Sequence, residues 1–329
     1  MSGFICFDLE GPLSPQDNAY DLMSLLPHGN QVFEAISRYD DLLTLEERKG
    51  YEPGDTLALI APFLICHGIT EQDIRKFGKE AKLITGAVDL ITHLQSNGWK
   101  VFCISTSYNH YALTITSRLN IPKERVACTP LPLSQWAKDM QNDTIRMLEQ
   151  AVSEIVSIDA KDDVQLKEYL DEFFWHRLTT TQAGNIIRQV SPVGGSRKVM
   201  ALERFSKEYG QPIGNFVAVG DSITDSKMLT TVDRAGGISI AFNANEYALS
   251  SATASLASTH LNDLEPVLTA WEQGHRQAAK QAIQEQQYAK ENHDRLNFHW
   301  AEGATVPGSI LEVHRRIRRL VRAEAAKLG

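Results

Sequence analysis

Four short apolar runs, at residues 4–7, 101–104, 216–219 and 238–242, are separated by much longer stretches with the composition of helices. No other feature limits the fold as much. Runs of this length with no polar face suit strands buried on both sides, and strands joined through helices pair in parallel. The expected class is α/β, a doubly wound and mostly parallel sheet covered by helices. The connecting segments fit. Residues 86–100 set Val88, Ile91 and Leu94 at helical spacing and stop at Asn97-Gly98, a good helix C-terminus, before the run at 101. Residues 196–210 repeat that order, ending at Gly210 ahead of the run at 216.

Two stretches are longer than the dozen or so residues that a parallel crossover needs. Residues 15–79 are helical in pattern and hold no comparable apolar run, so they read as an inserted helical cap. Residues at about 130–190 are rich in helix formers and read as a helical insertion or an elaborated helical layer. The expected organisation is a core of 1–14 and 80–265, a cap of 15–79 and a helical C-terminal extension of 266–329. In that extension Ile310, Val313, Ile317, Leu320, Val321 and Leu328 form one stripe, and six lysines and arginines between 315 and 327 occupy the remainder. We expect a docked amphipathic helix with a solvated basic face. An acidic partner, a lipid surface or a contact with another protein or a second copy is the alternative.

Net charge of -8 and a pI near 5.7 argue against a general nucleic-acid binder, which needs a basic footprint. No apolar stretch approaches the roughly 18 residues of a membrane span, and the N-terminus lacks a leader pattern, so a cytoplasmic protein without membrane attachment is expected. Cys6, Cys66, Cys103 and Cys128 show no CxxC spacing and read as reduced, buried small apolar residues.

The chemistry concentrates where the apolar runs end. Asp8 closes the first and is followed by Glu10 and Gly11. Ser105, next to Thr106, closes the second. Asp221 closes the third, and Asp225 follows four residues later at the start of a helix. In a doubly wound sheet ligands sit at the carboxyl ends of strands, so these groups converge. Any one of them alone is a common turn or cap residue. Other signals carry less. Gly194-Gly195-Ser196 lacks Walker spacing and reads as a loop before the helix with Lys198. His67, beside Cys66, and His293 and His299 lack the paired spacing of a zinc site. Phe173, Phe174, Trp175 and His176 read as core packing, with a pocket wall or subunit contact as the alternative.

Taken together, these residues resemble the haloacid dehalogenase superfamily of phosphatases. Its first motif is matched by Asp8-Leu9-Glu10-Gly11, the second by Ser105, the third by Lys198 and the fourth by Gly220-Asp221-Ser222-Ile223-Thr224-Asp225, across residues 4–265. Within it, the cap position and the Asp-Leu-Glu-Gly start are most similar to the phosphoserine phosphatase and phosphoserine:homoserine phosphotransferase group. The resemblance implies that Asp8 attacks phosphorus to form an aspartyl-phosphate, while Glu10 protonates the leaving oxygen and then activates water. It implies that Ser105, Thr106 and Gly11 meet the phosphate, that Asp225 fixes Lys198, and that Asp17 meets a substrate ammonium. For Asp17 a plain helix N-cap is an equal reading. It further implies Mg²⁺ held by Asp8, the main-chain carbonyl of Glu10 and Asp221. A cation is needed there, because like charges about 4 Å apart repel by roughly 4 kcal/mol at an effective dielectric near 20; Lys198 would add a second positive charge.

Two positions depart from the group. Glu10 is one methylene longer than the usual aspartate, and residues 51–64 hold no arginine to clamp a substrate carboxylate, although Arg38 and Arg48 are near in sequence. The expected function is Mg²⁺-dependent hydrolysis of a small phosphorylated metabolite. Phosphoryl transfer to an alcohol acceptor, or a catalytically inactive regulatory or binding protein on the same fold, stand as alternatives.

Overall fold

The computed structural model describes residues 3–159, 161–288, 296–301 and 306–322. Among the described residues seven strands form one sheet: β1 (Phe4–Phe7), β2 (Lys100–Tyr108), β3 (Val126–Thr129), β4 (Phe216–Gly220), β5 (Ile238–Phe242), β6 (Ala254–Ser258) and β7 (Leu296–Trp300). Their order is β3-β2-β1-β4-β5-β6-β7. The pairs from β3 to β6 are parallel, and β7 runs antiparallel to β6. The doubly wound α/β class is as expected, and the four apolar runs fall in β1, the first half of β2, β4 and β5.

Alternation along β1 explains why its residues are all apolar. Ile5 and Phe7 pack with Val101, Cys103, Val217 and Val219 in one core cluster; Phe4 and Cys6 pack with Phe102, Ile104, Phe216 and Ala218 in another. Successive side chains of a strand point to opposite faces, and here both faces are covered. Because β1 lies between β2 and β4, the strand order reverses beside it, and a crevice opens at the carboxyl ends of β1 and β4. Phe7 pairs in register with Val219, and the Asp8 N–H donates to Val219 O at 2.8 Å, so Asp8 and Asp221 emerge side by side.

Helices Gly29–Leu45 and Thr56–Cys66, from the segment expected to be a cap, pack with the segment 130–190. Helices Asn142–Ser157 and Asp163–Glu172 pack on the first, and Gln182–Gln189 packs on the second. Phe173 and Phe174 are buried at this junction, against Phe63 and Tyr39, while Trp175 donates its Nε1–H to Tyr39 Oη at 2.7 Å. Core packing accounts for Phe173 and Phe174, whereas Trp175 is only half-buried and His176 is exposed.

Several expectations need correction. β2 does not end at Ser105 but continues to Tyr108 through a register shift between Ile104 and Tyr108. The extension 266–329 is not helical throughout, since β7 closes the sheet edge; five residues are too few to separate a strand from its surroundings by pattern. The C-terminal helix Gly308–Arg322 does not dock on the expected stripe. Leu320 is 70% exposed, and the buried face carries His314, Ile317, Arg318 and Arg322, so part of the basic face is enclosed. Cys6 and Cys103 are buried, but Cys66 and Cys128 are only half-buried; all four are free thiols. Leu328 and His293 lie outside the described residues. Among the described residues no single helix is long and apolar enough to cross a membrane.

Candidate active site

Asp8 is the first residue beyond β1. Its Oδ1 accepts the Leu9 N–H at 2.8 Å and lies 2.8 Å from Lys198 Nζ; no described residue donates to its Oδ2. Lys198 comes from the helix Ser196–Glu208, and its Nζ also lies 2.7 Å from Asp225 Oδ1. The lysine is fully buried. Burial alone favours the neutral amine, but Asp225 and Asp8 outweigh it and hold the ammonium above the ordinary lysine range.

Asp225 is tied at both oxygens. Its Oδ2 accepts the N–H groups of Asp221 (2.9 Å) and Ser222 (3.1 Å), which closes the loop after β4 into a tight box. Gly220 is required by that closure, since a Cβ there would lie 2.5 Å from Asp225 Cγ. Asp225 thus contacts both Lys198 and the backbone of the loop.

Asp221 meets groups from both ends of the chain. A Cβ on Gly11, whose φ is +109°, would lie 2.3 Å from Asp221 Cγ. The close approach that demands glycine at position 11 is thus to Asp221. Asp221 Oδ2 accepts from the guanidiniums of Arg318 and Arg322, the latter at 2.8 Å. Its Oδ1 is buried with no hydrogen-bond partner among the described residues.

Glu10 Oε1 accepts the Asn18 N–H at 2.8 Å. Burial, reinforced by the nearby charge of Asp17, pushes the Glu10 carboxyl up to about 8; burial and then Asp225 push Asp8 up to about 7. Asp17 caps the helix Asn18–Met23 through the Tyr20 N–H at 2.9 Å, and burial raises its carboxyl as well.

These side chains border one pocket, lined by Asp8, Glu10, Thr106 and Asp221 beside the strand ends and by Asp17, Phe33, Ser37, Asp40 and Leu57 from the segment 15–79. Thr106 lines it while its hydroxyl donates to Val193 O at 3.2 Å. Ser105 is fully buried, its Oγ accepting the Ser107 N–H at 3.1 Å. Arg38 and Arg48 do not face the pocket chemistry: Arg38 Nε donates to Asp163 at 2.9 Å and Arg48 pairs with Asp171, tying cap to insertion. Gly195 sits in the loop before the lysine helix, its N–H donating to Thr224 O at 3.0 Å.

Sequence reasoning missed Arg318 and Arg322, both of which line the pocket. The available signal was their placement one residue after Ile317 and Val321, on the flank of the apolar stripe.

The carboxylates of Asp8, Asp221 and Asp225 each bring an oxygen within 4.8 Å of the others. Both oxygens of Asp225 are engaged, so the bare atoms belong to Asp8 and Asp221. An all-oxygen donor set with an orphaned buried carboxylate oxygen fits a hard divalent cation.

Fold and pocket together define an α/β protein of the enzyme class that gathers acidic side chains at the carboxyl ends of its central strands. The chain belongs to the haloacid dehalogenase-like hydrolases: the family model matches residues 81–263, more than half of its length. A gene product of Archaeoglobus fulgidus has a similar structure, with a TM-score of 0.88 and 26% identity over 100% of this chain and 99% of the other. An apo phosphoserine phosphatase is similar at a TM-score of 0.46 and 15% identity, over 80% of this chain and 98% of that one. A hydrolase of the same family from Salmonella enterica is similar at 0.45 and 14%, over 74% and 63%. No curated protein matches the sequence.

Proposed function

We propose that the protein is a Mg²⁺-dependent phosphomonoester hydrolase that acts on a small phosphorylated metabolite through an aspartyl-phosphate on Asp8. The observation that carries this is the enclosed ammonium of Lys198 between Asp8 and Asp225, beside an Asp221 whose Oδ1 is bare. Asp8 Oδ1 is engaged by Lys198 and Leu9, which leaves Oδ2 to form the bond to phosphorus as the ester oxygen departs. A Glu10 carboxyl pushed to about 8 holds its proton at neutral pH, as a donor to the leaving oxygen must. Once ionised, Glu10 takes a proton from the water that attacks the acyl phosphate, and the site returns to its starting state. Mg²⁺, held by Asp8, Asp221 and the main-chain carbonyl of Glu10, would offset the repulsion between the Asp8 carboxylate and a phosphate dianion. Thr106 and Asp17 line the same pocket and would meet the substrate there.

The test is phosphate release from a panel of small phosphomonoesters with Mg²⁺, run with and without an added alcohol. Release from at least one member is expected. Release from none overturns the reading, and diversion of phosphate to the alcohol would make the enzyme a transferase. Four free thiols accord with a cytoplasmic setting.

A further inference from the structure

Arg318 and Arg322 stand one turn apart on the helix Gly308–Arg322, so both side chains leave the same face. Their side chains are only 5% and 4% exposed, and both line the pocket that opens on Asp8 and Glu10. The helix is firmly seated. His314 Nδ1 accepts the Ala244 N–H at 2.9 Å, with burial pushing this imidazole down to about 3 and so keeping it neutral. Arg322 Nε donates to Pro15 O at 3.2 Å, in the loop between Glu10 and Asp17, and Arg318 Nη1 reaches the main-chain oxygens of Asp221 and Asn243, each at 3.3 Å. The two guanidiniums are therefore pre-organised by main-chain oxygens as well as by Asp221.

Among the described residues lining the pocket, these are the only cationic side chains. The cap side offers Phe33, Ser37, Asp40 and Leu57, and the cap arginines Arg38 and Arg48 are committed to Asp163 and Asp171. An anionic group on the far part of a substrate would be repelled by the cap and attracted to one wall, the one built by the C-terminal helix.

Building on the hydrolase reading above, we propose that Arg318 and Arg322 form an anion subsite beside the reacting phosphate. The substrate is then a phosphomonoester whose alcohol portion carries a second anionic group, a carboxylate or another phosphate. A guanidinium presents a planar fork of donors that matches the oxygens of either group. The substrate's second charge is thus read by the C-terminal helix, at the opposite end of the chain from Asp8.

The same arginines also hold Asp221, so the experiment must separate the two roles. Ethyl phosphate, phosphoglycolate and 1,2-ethanediol bisphosphate are matched probes with one, two and two anionic groups. They are assayed with Mg²⁺ and the full chain, as wild type, Arg322→Gln and Arg322→Lys. We expect wild-type kcat/KM to be higher for a doubly anionic probe by about tenfold or more, the worth of one charge-assisted hydrogen bond. Whichever doubly anionic probe wins identifies the group as carboxylate or phosphate. The ratio should collapse towards one in Arg322→Gln and be largely kept in Arg322→Lys. A wild-type ratio near one overturns the subsite without need of any variant. So does an Arg322→Gln protein that loses all three probes in equal proportion, which confines the arginine to holding Asp221. If wild type hydrolyses none of the three although other phosphomonoesters are turned over, the subsite falls alone; if no phosphomonoester is turned over, the hydrolase reading falls first.

Discussion

Gly11 is pressed against Asp221 so closely that any side chain at position 11 would overlap the carboxylate, its nearest approach being 2.3 Å from an added Cβ to Cγ. The turn after β1 and the loop after β4 are fitted to each other at the point where the bare oxygens of the site meet. Gly11→Ala should therefore cost about 1–3 kcal/mol of stability through the strained positive φ. It should also lower phosphatase activity by about 100-fold, because a displacement near 1 Å is enough to do so. Gly50 has φ +80° with nothing within 4 Å, so Gly50→Ala is the control that shares the strain without the overlap. Denaturant unfolding and phosphate release on the two variants separate the effects.

Lys198→Met leaves the buried carboxylates of Asp8 and Asp225 without their shared cation. Breaking a buried ion pair from one side costs about 3–5 kcal/mol. We expect a loss of that order at pH 7 by urea unfolding, and a smaller one in the double variant Lys198→Met/Asp225→Asn. Equal losses in the single and double variants would contradict the account of the cluster.

Asp40 gives a pH dependence that can be read apart from Asp8 and Glu10. Burial pushes its carboxyl up to about 7, although Tyr51 Oη donates to it at 2.7 Å and the N–H groups of Gly54 and Thr56 donate at 3.2 Å. The raised value means that between about pH 4 and pH 7 the folded chain keeps a proton that the unfolded chain has released. Stability should fall as pH rises through that window. Asp8 and Glu10 act in the same direction, so Asp40→Asn should make the slope shallower without abolishing it. Unfolding free energies at several pH values, without added Mg²⁺, check this.

Glu10→Gln keeps the Asn18 contact available but has no proton to give or take. Turnover should fall by about 100-fold or more, in the range ordinary for loss of a general acid-base group. With an aryl phosphate, whose leaving oxygen needs little protonation, phosphorylated enzyme should accumulate because the second step still lacks its base. Rapid-quench measurement of bound phosphate distinguishes this from loss of the first step.

How far the sequence reached depended on whether a residue's role was local. Asp8 and Asp221 end apolar runs, Asp225 sits at a fixed offset in its own loop, and all three were legible because burial and strand ends leave a pattern in the chain. The resemblance gave Gly11 a place beside the phosphate, whereas the close approach in the fold is to Asp221, a neighbour that could not be named from sequence. Arg318 touches Asp221 across 97 residues, and a basic run on a helix looks alike whether it is solvated or enclosed. β6 escaped notice for a related reason: Ala254, Ser255 and Ser258 are buried small residues, and composition alone does not mark them as a strand. Arg48 shows the reverse. Its proximity in sequence to the cap made it a candidate clamp, whereas the fold spends it on Asp171.

The central claim is that phosphorus passes through Asp8. Acid-quenching the Mg²⁺-loaded enzyme during turnover of a labelled phosphomonoester, followed by peptide mapping, tests it most directly. A hydroxylamine-sensitive label on Asp8 is expected in wild type, and neither label nor turnover in a folded Asp8→Asn variant. Turnover that persists in Asp8→Asn, or a label on another residue, would contradict it.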